Sequence, residues 1–261
     1  METVLYRKYR PKSFGEVLGQ EHIVKILTES VKLGHIAHAY LFAGSRGTGK
    51  TSVARILAEA VGVSKNDIYE MDAASNRGID DVRAIREGVS AAPFESKYKV
   101  YIVDEAHMLT KDAFNALLKT LEEPPAHVIF ILATTEMEKL PETVVSRCQV
   151  FKFKKPSQIA LKEMAVNVAK KEGFALEPAA AELIALLGDG SFRDALGMLQ
   201  KVIGASADKK ITANEVAVAA GAPRAELINE VITALNESNA SKGLDAVRRA
   251  GREPMRNSLI A

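Results

Sequence analysis

The most constraining feature of the sequence is the octet Gly-Ser-Arg-Gly-Thr-Gly-Lys-Thr at residues 44–51, a full match to the phosphate-loop pattern G-x-x-x-x-G-K-[ST]. An apolar run precedes it, and a segment with apolar residues at helical spacing follows. In this strand–turn–helix context the loop N–H groups and the helix N-terminus favour one bound anion. The sequence therefore predicts a nucleotide site, with Lys50 on the β- and γ-phosphates and the Thr51 hydroxyl on Mg²⁺. The residues predicted to bind the nucleotide here are Gly44, Ser45, Arg46, Gly47, Thr48, Gly49, Lys50, Thr51 and Ser52.

Composition limits the class of protein. The 261 residues suffice for two or three compact units, and no apolar run reaches the length of a membrane span. The N-terminus lacks the apolar core of a signal peptide, and the one cysteine, Cys148, cannot form an internal disulfide. We therefore expect a cytoplasmic protein without membrane attachment. Because the net charge is only +2, any contact with DNA has to come from local patches.

Strand and helix patterns alternate through the first half of the chain. Residues 99–103 and 128–132 are almost continuously apolar, as strands are when helices cover both faces of a parallel sheet. The pattern favours an α/β nucleotide-binding domain over residues 1–155. Predicted strands lie near 39–43, 68–72, 99–103, 127–133 and 149–153, and predicted helices near 21–33, 50–61, 78–90 and 110–122.

Helical periodicity replaces the strand runs after about residue 155. Apolar residues recur every three to four positions, and breaks near Gly173 and Gly188 separate the helices. We expect a small all-helical domain over residues 156–220. Residues 221–261 begin two further amphipathic helices that are too short to bury a core. The sequence is therefore expected to be a fragment of a longer chain, or to need a partner there.

Two carboxylates, Asp104 and Glu105, end the apolar run at 99–103. We expect Asp104 to hold Mg²⁺ through its water shell and Glu105 to orient and polarise the attacking water. A strand-end Asp-Glu pair can also be merely solvated, but an intact phosphate loop about 50 residues upstream favours the catalytic interpretation. The tetrapeptide from Asp104 to His107 also spells a helicase box, which requires a second, strand-rich motor domain that the remaining residues cannot form.

Hydroxyls and arginines later in the chain are further candidates. Thr134 and Thr135 end the next strand, where the γ-phosphate should lie, although a buried threonine can simply bond its own backbone. Arg147 is either a surface charge or an arginine finger that reaches the nucleotide of a neighbouring subunit. Arg193 lies in the first turn of a helix, where a cation is disfavoured, which hints at an anionic ligand or at pairing with Asp194 or a glutamate.

Together these motifs resemble those of AAA+ clamp-loader ATPases, in particular the gamma/tau subunits of bacterial DNA polymerase III. The resemblance covers about residues 1–200 and is most specific in the segment 114–125. It implies an AAA+ P-loop NTPase core with a parallel sheet, followed by a small all-helical lid domain (156–220) and a partial helical collar domain (221–261). The motifs that carry it lie at 9–14, 19–22, 38–42, 44–51, 71–75, 104–109, 114–125, 146–148 and 190–196.

The resemblance also implies roles for individual residues. Thr135 matches sensor 1, Arg193 matches sensor 2 in the lid, and Arg147 matches the arginine finger that acts in trans. Tyr9, Arg10 and Pro11 match the adenine-pocket segment. Lys50, Thr51, Asp104 and Glu105 keep the roles argued above.

Assembly and activity follow from the same resemblance. It implies a Mg²⁺-dependent ATPase of the polymerase holoenzyme, in a ring of five with delta, delta prime and further gamma/tau copies. In that family ATP lets the ring grip and open the sliding clamp, and primed DNA triggers hydrolysis and release. The helix around Asn76, Arg77 and Arg83 is expected to face the DNA backbone, or else to be a solvated charged surface.

Two departures from the family pattern matter. The family usually carries a four-cysteine zinc module after the phosphate-loop helix, but residues 61–69 contain no cysteine, so zinc is not expected. The collar is only begun before Ala261, which leaves assembly of this chain by itself open. The alternatives are a non-hydrolysing structural subunit similar to delta prime and another AAA+ remodeller such as a branch-migration ATPase. A GTPase is disfavoured because no Asn-Lys-x-Asp element follows the phosphate loop.

Overall fold

A computed structural model describes residues 4–76, 78–206, 208–221 and 225–252. These residues fall into two compact units. The first consists of Tyr6–Ala160 together with Gly190–Arg193, and the second mainly of Leu161–Asp189 and residues 194–252. The division of the second half into lid and collar stays a prediction.

The first unit is built on a five-stranded parallel sheet with strand order β2-β3-β4-β1-β5. The predicted parallel α/β architecture is thereby confirmed, and each predicted strand end lies within one residue of the observed one. The central strand β4 is buried along its whole length, as its apolar sequence requires. The strands are β1 (Ala39–Ala43), β2 (Ile68–Asp72), β3 (Lys99–Asp104), β4 (Val128–Thr134) and β5 (Gln149–Lys152).

Helices connect these strands and cover both faces of the sheet. Alternate residues of β1 point to opposite sides, so that Leu41 joins the core against α4 and α5 while Phe42 joins the core against α2 and α3. Helix α5 begins where the Thr110 hydroxyl accepts the backbone N–H of Ala113 at 3.2 Å. The helices are α1 (Leu5–Lys8), α2 (Glu21–Leu33), α3 (Lys50–Ala60), α4 (Ile79–Val89), α5 (Lys111–Glu122) and α6 (Glu142–Val145).

The second half of the chain is helical, as predicted. One feature was not anticipated, a two-residue parallel pair between β6 (Ala175–Leu176) and β7 (Lys210–Ile211). Over the described part of the chain, no helix has the length and apolar character needed to cross a membrane. The helices are α7 (Gln158–Lys171), α8 (Pro178–Leu187), α9 (Phe192–Ala205), α10 (Ala213–Ala220), α11 (Ala225–Asn236) and α12 (Ala240–Arg252).

A buried carboxylate fixes the connection between α3 and β2. Asp67 is fully buried and accepts the backbone N–H groups of Phe94 at 2.5 Å, Glu95 at 3.0 Å and Ser96 at 2.8 Å. Burial favours the protonated form, but these donors outweigh it and lower the pKa of Asp67 to about 2. One side chain therefore ties the segment before β2 to the segment before β3.

Replacing Asp67 with asparagine should destabilise the fold. We expect a loss of about 2–3 kcal/mol in the free energy of unfolding at pH 7, because the amide keeps the shape but loses charge-assisted acceptors. Urea unfolding would measure this, with Glu87→Gln on the exposed face of α4 as the control. Since the pKa is lowered from 3.8 to about 2, the contribution of Asp67 should be fully present above about pH 4 and be lost as the pH falls through 2. An unchanged midpoint in Asp67→Asn would contradict this.

Candidate nucleotide-binding site

Lys50 lies at the start of α3 with its ammonium group turned onto the phosphate loop. Nζ donates to the carbonyl oxygens of Gly44 at 2.8 Å and Ser45 at 2.9 Å, and the residue is only 6% exposed. Burial lowers the pKa of Lys50, while the nearby carboxylates Glu105 and Asp104 oppose that shift. The loop therefore surrounds a buried cation at a helix N-terminus, which favours an anionic ligand.

The shape of the loop depends on two glycines. Gly44 and Gly47 have φ angles of 157° and 73°. A Cβ on Gly47 would lie 2.0 Å from Ser191 Oγ, and one on Gly44 would lie 2.7 Å from the carbonyl oxygen of Phe153. Within the described residues, the hydroxyl oxygen of Ser45 is buried and has no hydrogen-bond partner. A phosphate oxygen would satisfy it, so the loop fits the ligand that its sequence predicts.

A hydroxyl and a carboxylate meet beside the loop. The Thr51 hydroxyl donates to Asp104 Oδ2 at 2.7 Å, and Asp104 Oδ1 accepts the backbone N–H of Glu105 at 3.0 Å. Oxygen ligands of this kind suit Mg²⁺, which typically takes one or two protein ligands and completes its shell with phosphates and water. Nowhere among the described residues, this site included, do three or more His, Cys, Asp or Glu side chains gather into a metal site.

Glu105 follows β3 in a strained backbone conformation. Its φ of 49° and ψ of 43° lie in the left-handed region, which costs a non-glycine residue roughly 1–3 kcal/mol. The carboxylate accepts a hydrogen bond from the Thr135 hydroxyl at 3.1 Å. The ends of two neighbouring strands, β3 and β4, therefore meet at this carboxylate.

His107 is a site residue that the sequence analysis missed. Its Nδ1 lies 3.0 Å from the Thr134 hydroxyl and 3.6 Å from Glu105 Oε2, and its Nε2 lies 3.1 Å from Glu136 Oε1. The imidazole is buried between two carboxylates, one of them the predicted catalytic one. Thr134 itself accepts the N–H of Glu136 at 3.0 Å, which matches the backbone-bonding alternative for that threonine. The only sequence signal was a histidine two positions after Glu105.

The predicted adenine-pocket segment lines a cavity of about 520 Å³ beside α3. Arg10, Pro11 and Ser52 all border this cavity, whereas Tyr9 does not. Burial and the charge of Arg55 lower the pKa of Arg10, and Glu70 partly opposes them. Crowded guanidinium groups in a half-buried groove favour an anionic ligand.

Residues 190–193 approach the phosphate loop. The backbone N–H of Phe192 donates to the carbonyl oxygen of Gly47 at 3.1 Å. The guanidinium carbon of Arg193 lies 5.7 Å from the centroid of the Tyr6 ring, a cation–π contact. The segment that contains Arg193 therefore belongs to the same compact unit as the loop.

Arg147 lies just after α6, and its hydrogen bonds go to α5 and α6 rather than to the phosphate loop. Nη2 donates to Glu122 Oε1 at 2.6 Å, and Nη1 donates to the carbonyl oxygen of Thr143 at 2.7 Å and to Ser146 Oγ at 3.4 Å. The side chain is one-third exposed. None of these hydrogen bonds connects Arg147 to the phosphate loop of its own chain.

The predicted DNA-facing residues are engaged locally. Asn76 donates to the carbonyl oxygen of Asp72 at 3.2 Å, and Arg83 pairs with Asp80 at 2.9 Å. Arg77 lies outside the described residues. Contact of this helix with DNA stays a prediction.

The sequence of this chain is similar to those of DNA polymerase III subunits. DNA polymerase III subunit tau of Bacillus subtilis (strain 168) is 42% identical over 96% of this chain and 48% of its own length. DNA polymerase III subunit gamma/tau of Mycobacterium bovis is 38% identical over 97% of this chain and 48% of its own length. This chain thus spans about half the length of the curated relatives it matches.

Solved structures agree with the fold. The Holliday junction branch migration motor RuvB of Thermotoga maritima superposes with a TM-score of 0.68 at 25% identity, over 88% of this chain and 80% of that one. This likeness confirms the AAA+ α/β fold with helical additions. It does not extend to the function in that protein's name, because the sequence relatives are polymerase subunits.

A family model described as "DNA polymerase III, delta subunit" matches residues 19–77 and 63–157, together more than half of the chain. These residues include the phosphate loop, both strand-end carboxylates and Arg147. The chain therefore belongs to this family of DNA polymerase III subunits, and the relatives that it resembles in sequence are gamma/tau subunits.

Proposed function

We propose that this chain binds and hydrolyses ATP in the DNA polymerase III clamp loader and so drives loading of the sliding clamp onto primed DNA. It would act in the cytoplasm, in a ring with delta, delta prime and further gamma/tau copies. One observation carries the proposal. Lys50, Thr51, Asp104 and Glu105 lie together at the carboxyl-terminal ends of the parallel strands. Clamp loading as such rests on relatives that are about twice as long as this chain.

The geometry supports a division of work among these residues. Lys50 and the loop N–H groups would hold the β- and γ-phosphates, and Thr51 with Asp104 would hold Mg²⁺. When bound, Mg²⁺ neutralises charge that develops on the phosphates. Glu105 would orient and polarise the attacking water, and its bond with Thr135 fixes one of its two oxygens.

Supporting residues complete the proposed site. Thr135 would act as sensor 1 at the end of β4, and Arg193 as sensor 2 at the start of α9. Arg10 and Pro11, with Tyr9, would receive the adenine. Arg147, which bonds to α5 and α6, would serve the nucleotide of the next subunit in the ring. No zinc is included in this proposal.

The alternative is a structural subunit similar to delta prime that donates its arginine without hydrolysing ATP. Such a subunit has no need for an intact phosphate loop, a metal-binding pair and a strained glutamate in one place. Here these features occur together, which favours the hydrolysing subunit. Measurable ATP turnover that depends on Glu105 separates the two functions.

Lys50→Ala tests whether the phosphate loop holds the nucleotide. We expect the affinity for MgATP to fall by about 10- to 100-fold, because the variant removes a buried charge-assisted contact to the phosphates. Isothermal titration calorimetry would measure this. Lys25→Ala, on the exposed side of α2, is the matched control and should bind as the wild-type chain does. Unchanged affinity in Lys50→Ala would overturn the proposed nucleotide site.

A further inference from the structure

We infer that Glu122 is a positioning residue for Arg147, holding its guanidinium ready for the nucleotide of a neighbouring subunit. The inference rests on the proposed function and adds a residue to it. Glu122 belongs to no phosphate-loop, sensor or finger motif. It is assigned here only from its contact with Arg147.

The hydrogen bonds of Arg147 within the protein use only part of its N–H donors. A guanidinium has five N–H groups. The bonds to Glu122, Thr143 and Ser146 use three of them, so two find no acceptor among the described residues. Those two remain available to a phosphate, while the other three hold the group in place.

Glu122 sits where a carboxylate is otherwise unfavourable. It is the last residue of α5, and a negative charge at a helix C-terminus is repelled by the helix dipole. The guanidinium thus contacts this carboxylate at the end of α5 and the carbonyl oxygen of Thr143 in the short helix α6. A cation is favoured there, which offsets the misplaced charge and fixes where the arginine lies.

The carboxylate of Glu122 extends from a helix that is packed in the core. Phe114, Leu117 and Leu121 bury one face of α5 in the core beneath the sheet, and Glu122 directly follows the last of them. Arg147, by contrast, has a long side chain that samples many rotamers when unpaired. A bond from a fixed helix end limits those rotamers, and so limits the entropy lost when the finger engages a phosphate.

Exposed ion pairs often contribute nothing measurable, which makes a matched control necessary. The sequence provides one in the adjacent Glu123. It is exposed, lies at the same helix end, and makes no side-chain hydrogen bond or ion pair with the described residues. Glu122→Gln and Glu123→Gln therefore remove the same charge from the same place, but only the first alters a contact with Arg147.

The test uses the clamp loader reconstituted from its subunits, with clamp, primed DNA and ATP. For Glu122→Gln we expect kcat to fall about tenfold, the value of one charge-assisted bond that orients a catalytic group, with KM and ATP affinity unchanged. Glu123→Gln should match the wild type. Equal rates in the two variants would overturn the inference, as would a loss of ATP binding in Glu122→Gln.

A double variant separates positioning from general structure. If Glu122 acts through Arg147, adding Glu122→Gln to Arg147→Ala should cause no further loss. A further loss of similar size would assign Glu122 a role independent of the arginine and overturn the inference. If Arg147→Ala itself has no effect, the trans-acting finger of the proposed function fails. If Arg147→Ala is inactive but Glu122→Gln is normal, only the inference fails.

Discussion

Glu105→Gln is expected to lower ATP turnover by about 10²- to 10⁴-fold, the contribution typical of a general base. ATP affinity should stay close to that of the wild type, because glutamine has the same shape and Lys50 keeps its contacts with the loop. The amide can still accept the hydroxyl of Thr135, so the end of β4 need not move. Single-turnover hydrolysis and a separate binding titration would measure the two effects.

The control is Glu138→Gln, an exposed glutamate shortly after β4. It should leave turnover unchanged. Equal turnover in Glu105→Gln and the wild type would mean that another group activates the water. His107, whose Nδ1 lies 3.6 Å from Glu105 Oε2, would be the first residue to examine. A loss of ATP binding in Glu105→Gln would instead show that Glu105 holds the ligand rather than the water.

The parallel sheet was predictable because its strands are indicated by local patterns of apolar residues. Runs such as residues 100–103 are apolar on both faces, and only a strand covered on two sides accommodates that. The phosphate loop was equally readable, since its glycines, lysine and threonine are required at fixed spacing by one ligand. Asp104 and Glu105 could be identified as candidate site residues because they lie at the end of a buried strand.

Contacts between distant segments could not be predicted in the same way. No pattern in the neighbouring residues indicates that the backbone of Glu105 is left-handed. The burial of His107 between Glu105 and Glu136 depends on the register of β3 against β4, and the pair Glu122–Arg147 joins residues 25 positions apart. The packing of Ser191 against Gly47 joins still more distant parts of the chain. These contacts arise from packing, so a motif can name a residue but not its partner.

Arg147→Ala should reduce ATP turnover in the assembled loader by about 10³-fold or more, the value of an arginine finger that stabilises transition-state charge. ATP affinity per subunit should change little, because Arg147 bonds to α5 and α6 and not to its own phosphate loop. The turnover per subunit of the wild type should rise with protein concentration and reach a plateau as neighbours complete one another's sites. The variant should show no such rise.

Mixing two inactive variants decides whether Arg147 acts in trans. Under the proposed function, a Glu105→Gln chain keeps its arginine but loses the group that activates water. An Arg147→Ala chain would keep its own site but lose the finger that it donates. If the finger serves a neighbour, mixed rings should contain some sites with both Glu105 and Arg147, and turnover should recover in part. If the finger serves its own subunit, no mixture can restore activity. A wild-type rate that is independent of concentration and insensitive to Arg147→Ala would return this residue to the role of a surface charge paired with Glu122.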